Sequence, residues 1–210
     1  MGPFPDGVYR AQFPYYYRNP EGMPQEAALD YYLNSIKDVF EQCGPADSIA
    51  AIVVEPLQGE GGFIPAPIEW VKAVRKICDE NGILLVADEV QTGFCRTGRM
   101  FATQYWEEAG VQPDILATAK FIAAALKTIE IMERDDLAGC SCEIGEKVSK
   151  RFNEWKEKYP VIGDVRGLGG MIGLEFVKDQ KSKEPYPEFS AAVISGCAVS
   201  YTHLTLPTIA

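Results

Sequence analysis

Apolar residues recur at helical spacing in two segments near the start of the chain. From Gln25 to Cys43 they repeat every three to four residues, which predicts an amphipathic helix that ends before Gly44-Pro45. A second helix is predicted from about Ile68 to Glu80, with Asn81-Gly82 as its end. Its apolar face consists of Val71, Val74, Ile77 and Cys78.

Two short apolar runs, SIAAIVVEP and ILLVADEV, flank the second helix and predict strands. A strand, a helix and a second apolar strand in this order are typical of a right-handed βαβ unit in a parallel sheet covered on both faces. Further on, a short strand is predicted at about 115–118 and a helix at 141–159. Residues 1–24, rich in proline, glycine and tyrosine, predict an extended connection. The pattern therefore predicts an α/β fold.

Composition and charge exclude several classes of function. The chain of 210 residues is 47% apolar and has a net charge of -10, without the basic stripe that nucleic acids or anionic membranes require. No apolar run approaches the roughly 20 residues of a membrane helix. The six cysteines have no paired CxxC spacing, and the sequence shows no secretory leader. Both observations favour a reduced, cytoplasmic setting over a disulfide framework. Only one histidine, His203, is present, so neither a Ser-His-Asp triad nor a histidine zinc site is expected, and no metal-binding residues are predicted.

The candidate chemistry lies where the predicted strands end. Asp88-Glu89 closes the second strand, and Glu55 and Glu60 follow the first. Ligands of open parallel α/β sheets bind beyond the carboxyl ends of the strands, so these acids indicate a site. The alternative is that Asp88 only caps the loop or pairs with Arg96.

Four motifs occur in a characteristic order: VVEPLQGEGGF, CDENGILLVADEVQTGFCRTGRMFA, PDILATAK and IGDVRGLGGMIGLEFVKD. Together they resemble the class III, pyridoxal-phosphate-dependent aminotransferases, the group of 4-aminobutyrate, ornithine and acetylornithine aminotransferases. The resemblance implies a fold-type-I enzyme with a mostly parallel sheet in a large domain, a small C-terminal α/β domain and a homodimer. It places part of the large domain at 1–122, and the interdomain helix with part of the small domain at 123–198.

The resemblance also assigns roles to five residues. Lys120 matches the catalytic lysine that holds pyridoxal 5'-phosphate covalently, and Asp88 matches the anion on the pyridine nitrogen. Val90 matches the residue that packs on the cofactor face, and Gln91 the partner of the phenolic oxygen. Glu60 matches an acid that gates substrates by pairing with an arginine. Without the resemblance, Val90 would serve equally well as a core residue and Gln91 as a polar loop residue. The weaker alternatives for Lys120 and Glu60 are solvated side chains, Glu60 within a glycine turn.

The chain departs from the family pattern in several places. The glycine-threonine motif expected after Lys120 is missing, as is the first half of the large domain with its phosphate cup and the aromatic residue that stacks on the ring. Cys95 replaces the glycine usual in GFGRTG. Residues 199–210 resemble the translation of a sequencing-library adapter and are expected to be a non-native tail. We expect such a fragment to expose apolar faces and to be inactive alone.

The resemblance implies transfer of an amino group from an amino acid or ω-amine donor to a keto acid such as 2-oxoglutarate. One alternative is an amino-acid racemase of the same family, which would use the same Asp88 and Lys120. A second alternative, from another class, is a nucleotide-binding α/β module in which GEGG (59–62) and RGLGG (166–170) hold phosphate.

Overall fold

The computed structural model describes residues 6–118 and 122–202, which contain both helices and strands. The helices are α1 (Gln25–Gln42), α2 (Ile68–Asn81), α3 (Gln104–Glu107), α4 (Ile122–Arg134), α5 (Leu137–Lys158) and α6 (Pro187–Thr202). The strands are β1 (Ala51–Val54), β2 (Leu57–Gln58), β3 (Ile64–Pro65), β4 (Leu84–Asp88), β5 (Ile115–Ala117), β6 (Ile162–Leu168) and β7 (Met171–Phe176). Two short 3-10 turns, at Tyr16–Arg18 and Ala46–Ser48, lie in the connections.

The central sheet is parallel and has the strand order β1-β4-β5. Helix α2 lies between β1 and β4 in the chain, preceded by the small antiparallel hairpin of β2 and β3. The predicted parallel α/β fold is therefore confirmed.

The core lies between one face of the sheet and α2. Val71, Val74 and Cys78 of α2 are buried in one cluster with Leu85 and Ala87 of β4. Residues Tyr32 and Ile36 of α1 belong to the same cluster, and α1 packs against α2. Burial raises the pKa of the Cys78 thiol to about 11, and this group therefore acts as a small apolar side chain.

The end of α2 follows from its sequence. Gly82 adopts the left-handed conformation, with a φ of 67°, and its N–H donates to the carbonyl of Cys78. A residue without a Cβ atom tolerates this conformation, which is common directly after a helix. The predicted helix boundary at Asn81-Gly82 is thus confirmed.

The opposite face of the sheet is uncovered. The βαβ pattern predicts cover on both faces, whereas an incomplete chain is expected to expose apolar faces. Val53 of β1 is 65% exposed and Leu84 of β4 is 45% exposed, so the second expectation describes this face. The strands carry apolar residues on both sides, a composition that is typical of a parallel sheet covered on both faces. Among residues 6–118 and 122–202, only one face has that cover.

The chain divides into two compact units, which we describe separately. The first contains the described residues up to Val148 together with Arg166–Gly173, and the second contains Ser149–Val165 and the described residues from Leu174 onwards. In the second unit, Phe189 of α6 packs against Phe176, with ring centroids 5.1 Å apart. The predicted boundaries at 122 and 198 remain predictions. Helix α6 includes residues 199–202, whereas 203–210, the rest of the predicted tail, lie outside the described residues.

Over the described stretches, no helix combines the length and the apolar character that crossing a bilayer requires.

Ionic contacts at the start of β5 hold the sheet to α2. Arg75 of α2 donates to Asp114 at 2.6 Å and to Asp79 at 2.8 Å. The same Asp114 oxygen accepts the N–H of Leu85 at 2.7 Å. Asp114 therefore links the start of β5 to both α2 and β4.

The Asp114 contacts predict a pH-dependent stability. The hydrogen bond from Arg75, and then that from Leu85, hold the pKa of the Asp114 carboxyl below its usual range. A lowered pKa in the folded state stabilises the fold above the unfolded pKa of about 4, and this stabilisation is lost as the pH falls through the folded pKa. We expect Asp114→Asn to cost about 1 kcal/mol at pH 7, measured by thermal unfolding.

The difference between Asp114→Asn and the parent should shrink below about pH 4. Asp79→Asn is the matched control, since it removes only an exposed pair within α2 and should have a small effect. An Asp114→Asn difference that stayed constant down to pH 3 would contradict this account.

Candidate functional site

The two adjacent acids at the end of β4 lie on opposite sides of the sheet. Residues alternate between the faces of a strand, so Asp88 shares its side with the partly buried Val86, and Glu89 shares its side with the buried Ala87. Asp88 is half-buried, and its Oδ1 accepts the N–H of Val90 at 3.0 Å. Ala117 of β5 pairs with Asp88 in the parallel register.

Glu89 is completely buried and fully engaged. Its carboxylate accepts the Thr92 hydroxyl at 2.5 Å and the N–H of Thr103 at 2.6 Å. Its own N–H donates to the carbonyl of Ala117 at 2.8 Å. Glu89 therefore fixes both ends of the loop 89–103 to the end of the sheet.

The sequence analysis missed the role of Glu89, although a signal was present. With Leu85 and Ala87 assigned to the helix-covered face, alternation places Glu89 on that face as well. A buried carboxylate requires hydrogen-bond donors, and the three threonines of the following loop, Thr92, Thr97 and Thr103, are candidates by composition.

Two predicted site residues meet at this edge. Gln91 Nε2 donates to Glu60 Oε1 at 3.5 Å, a long hydrogen bond between the loop after β4 and the hairpin after β1. The amide oxygen of Gln91 occupies the space that a Cβ atom on Gly59 would need. Gly59 also donates its N–H to Glu55 at 2.9 Å. The close approach of Gln91 thus depends on glycine at position 59.

The other candidates are placed differently. Val90 is at the same edge and 50% exposed. Lys120 lies outside the described residues, and β5 is the strand that precedes it in the sequence. Of the two alternatives for Asp88, the contacts show the loop cap, whereas Arg96 donates to the carbonyl of Gly93 at 2.8 Å.

The glycine runs are already engaged as donors within the chain. The N–H of Gly59 donates to the carboxylate of Glu55, and the N–H of Gly62 donates to the carbonyl of Gly59. In the second run, the Gly170 N–H donates to the carbonyl of Arg96 and to Ser141. A phosphate cradle requires such groups to be directed at the ligand, so this observation weighs against the nucleotide-binding alternative.

Arg166 supports the glycine hairpin. Its Nε donates to the carbonyl of Gly62 at 2.8 Å, and its guanidinium lies over the ring of Tyr15, 4.7 Å from the centroid. A Cβ atom at Gly62, where φ is 114°, would lie 2.8 Å from a guanidinium nitrogen. These contacts give Arg166 a structural role at this hairpin.

The segment after Gln91 carries backbone strain. Phe94 and Cys95 both have positive φ angles, of 60° and 68°. The N–H of Phe94 donates to the carbonyl of Met100 at 2.6 Å, which closes the loop. Cys95 is buried, and burial raises the pKa of its thiol. The sequence analysis identified the substitution of glycine by Cys95, and the structure shows that it falls at the costly kind of backbone angle.

The sequence profile of the class-III aminotransferase family matches residues 1–126 and 122–205. The chain belongs to this family. The two matches of the class-III profile meet at 122–126, directly after Lys120, where the sequence analysis found the glycine-threonine motif missing.

Curated class-III relatives agree with the assignment. The probable 4-aminobutyrate aminotransferase of Bacillus subtilis is 36% identical over 228 residues, and the 5-aminovalerate aminotransferase of Pseudomonas putida is 39% identical over 210 residues. These alignments cover 92% and 83% of this chain but 52% and 47% of the relatives. The chain thus spans about half the length of the relatives it matches. The isoleucine 2-epimerase of Lentilactobacillus buchneri is also similar, with 33% identity over 229 residues.

A solved structure shows the same fold. The PLP-bound amine transaminase from an uncultivated Pseudomonas species has a TM-score of 0.73 and 32% identity, and the match covers 83% of this chain and 48% of that one. The alignment with the Bacillus subtilis relative has more positions, 228, than this class-III chain has residues, 210. The relative therefore has internal residues without a counterpart here.

The buried carboxylate of Glu89 predicts a large mutational effect. Glu89→Ala would leave the Thr103 N–H without an acceptor, and we expect a loss of about 2 to 4 kcal/mol in the free energy of unfolding. Glu89→Gln keeps one acceptor oxygen and should lose less. Thr92→Val is a control that removes only one donor. Equal stability of Glu89→Ala and the parent in urea unfolding would contradict this assignment.

The positive φ angle of Cys95 predicts an unusual order of stabilities. Both variants lose the buried thiol, but Cys95→Gly relieves the strain whereas Cys95→Ala keeps it. We expect the glycine variant to be more stable than the alanine variant by about 1 kcal/mol in thermal unfolding. Ala73→Gly, within α2, is the control: there the glycine chain should be less stable than the parent chain with alanine, because glycine weakens a helix interior.

Proposed function

We propose that this chain forms the strand-end part of a pyridoxal-phosphate-dependent aminotransferase site, which transfers an amino group from an amino acid or ω-amine to a keto acid such as 2-oxoglutarate. The observation that carries the proposal is the position of Asp88 in a class-III chain. Its carboxylate lies at the carboxyl end of β4, beside Ala117 of β5, the strand that precedes Lys120.

The residues at this edge fit the ring of the cofactor. Pyridoxal phosphate supplies an electron sink that stabilises negative charge on the substrate carbon. The half-buried Asp88 offers a carboxylate for the ring nitrogen and is held in place by the N–H of Val90. Gln91 brings an amide to the same edge, at the position where the resemblance expects a partner for the phenolic oxygen.

Within this proposal, Asp88 keeps a proton on the ring nitrogen through a charge-assisted hydrogen bond. Lys120 holds the cofactor and then moves a proton to or from the substrate carbon as a general base and acid. Val90, half-exposed at the same edge, provides an apolar contact for the face of the ring.

Glu60 is proposed to gate the substrate. Its contact with Gln91 links the hairpin after β1 to the loop after β4. If Glu60 changed its partner, Gln91 would lose this hydrogen bond. An amine and a dicarboxylate differ in charge near this position, which is why a movable acid suits two substrates in turn. We extend the proposal to the homodimer that the family resemblance implies.

A racemase is the second candidate function, since an epimerase is among the relatives. It would use the same Asp88 and Lys120. The relatives named as aminotransferases include those with the higher identities reported above, and they support transamination as the main proposal. Chiral analysis of the products of a complete enzyme would distinguish the two activities.

Lys120 is tested by trapping with borohydride after addition of pyridoxal phosphate. We expect peptide mapping to locate the reduced adduct on Lys120 in the parent chain. Asp88→Asn should raise the cofactor concentration for half-maximal labelling about tenfold, because a hydrogen bond to a charged group is lost. Binding is measured here rather than turnover.

Lys127→Ala is the matched control for this experiment. Lys127 is an exposed lysine of α4, paired with Glu130 at 2.6 Å, and its removal should leave the labelling of Lys120 unchanged. Labelling spread over surface lysines and insensitive to Asp88→Asn would count against the proposed site.

A further inference from the structure

The turn that carries Glu60 is held at both of its ends. At its start, the Gly59 N–H donates to the carboxylate of Glu55 at 2.9 Å. At its end, the Gly62 carbonyl accepts the Nε–H of Arg166 at 2.8 Å. Within the turn, the Gly62 N–H donates to the Gly59 carbonyl at 3.0 Å. Glu60 itself is exposed, so its position is set by the backbone of this turn.

The restraint at the end of the turn comes from a distant part of the chain. Arg166 belongs to β6 and lies 104 positions beyond Gly62 in the sequence. Its guanidinium lies over the ring of Tyr15, 4.7 Å from the centroid, where the ring attracts a cation. Gly173 of β7 lies against the same carbonyl, since a Cβ atom there would be 3.0 Å from the Gly62 oxygen. The N-terminal segment, β6 and β7 therefore converge on this turn.

The backbone angles of the turn require such support. Gly62 has a φ of 114°, and Phe63 has a φ of 53°. A phenylalanine in the left-handed conformation is costly and persists only where the surrounding contacts determine the backbone. The hydrogen bond from Arg166 reaches the carbonyl that joins these two residues, and it is charge-assisted and therefore stronger than one from a neutral donor. It opposes relaxation of the turn.

The position of the turn decides whether Glu60 reaches Gln91. The Glu60 carboxylate accepts from Gln91 Nε2 at 3.5 Å, a long hydrogen bond that a small displacement of the turn would break. The Gln91 amide also fills the space beside Gly59. We propose that Arg166, supported by Tyr15, is a positioning residue that sets Glu60 against Gln91. The inference rests on the proposed function, in which Glu60 gates the substrate at this edge.

An arginine suits this role better than a lysine. The planar guanidinium lies flat over an aromatic ring and donates to a carbonyl in its own plane, whereas an ammonium group is a compact point charge on a flexible stem. Arg166→Lys should therefore keep part of the restraint on the turn, and Arg166→Met should lose it.

The proposal is tested by NMR on the full chain without cofactor. Glutamine side chains are labelled isotopically at nitrogen, and the Gln91 amide signal is identified by its absence from Gln91→Leu. Glu60→Ala removes the acceptor and defines the shift that accompanies loss of the contact. We expect Arg166→Met to move the Gln91 signal in the same direction and by a comparable amount. Arg166→Lys should move it less far.

Two further variants distinguish positioning from general stability. Arg99→Met removes another arginine that lies over a tyrosine ring, 5.1 Å from the centroid of Tyr105, and should leave the Gln91 signal in place. Tyr15→Leu keeps Arg166 but removes the ring beneath it, and should move the signal in the same direction as Arg166→Met. An arginine with a merely structural role would lower the unfolding temperature without moving this signal of the folded chain.

Three results would overturn the inference. One is a Gln91 signal that Glu60→Ala leaves unchanged, because the contact would then be absent in solution. Another is a signal that Arg166→Met and Arg166→Lys both leave at the parent position. The third is an equal movement in Arg99→Met. Should Arg166→Met not fold, Arg166→Lys and Tyr15→Leu make the same comparison. Failure of the borohydride trapping would count against the proposed function alone, since these spectra are recorded without cofactor.

Discussion

The buried carboxylate of Glu89 is the contact on which the candidate site depends. It lies inside the fold with no exposure and is stabilised by the Thr92 hydroxyl and the Thr103 N–H. A charge in that position costs several kcal/mol unless donors surround it, so the loop 89–103 must close over it. The closed loop restrains the backbone around Asp88, Val90 and Gln91, which lie at the end of β4 or directly after it.

The same loop shows how glycine and strain shape the surroundings of the site. Phe94 and Cys95 both have left-handed backbone angles, and Gly169 approaches the backbone of Thr97 so closely that a Cβ atom would overlap it. Gly145 of α5 in turn packs against the carbonyl of Gly169. The hairpin turn at Gly169-Gly170 therefore fits against the loop after β4 through backbone contacts, which only small residues permit.

Periodicity predicted the elements that depend on local sequence. The parallel pair of β1 and β4, the helix between them and its end at Gly82 all follow from apolar spacing and a glycine. Asp88 at the strand end followed from the same pattern. The burial of Glu89 needed strand alternation as well, and the contact between Glu60 and Gln91 joins residues 31 positions apart, which no local pattern encodes. Apolar composition alone predicts burial of Val53, and its exposure followed only from the expectation that an incomplete chain exposes apolar faces.

The donors of the glycine runs bear on how the phosphate of the cofactor would be held. Gly59, Gly62 and Gly170 direct their N–H groups at acceptors within the chain, so they are not directed at a phosphate. In the proposed function Asp88 and Gln91 would contact the ring of the cofactor, and a doubly charged phosphate would need donors of its own. Asp88 shares its side of the sheet with the exposed Val53 and Ile115, so a cofactor held at Asp88 would lie at the border of an apolar surface. Apolar side chains offer no hydrogen-bond donors, so those for the phosphate would have to come from other residues.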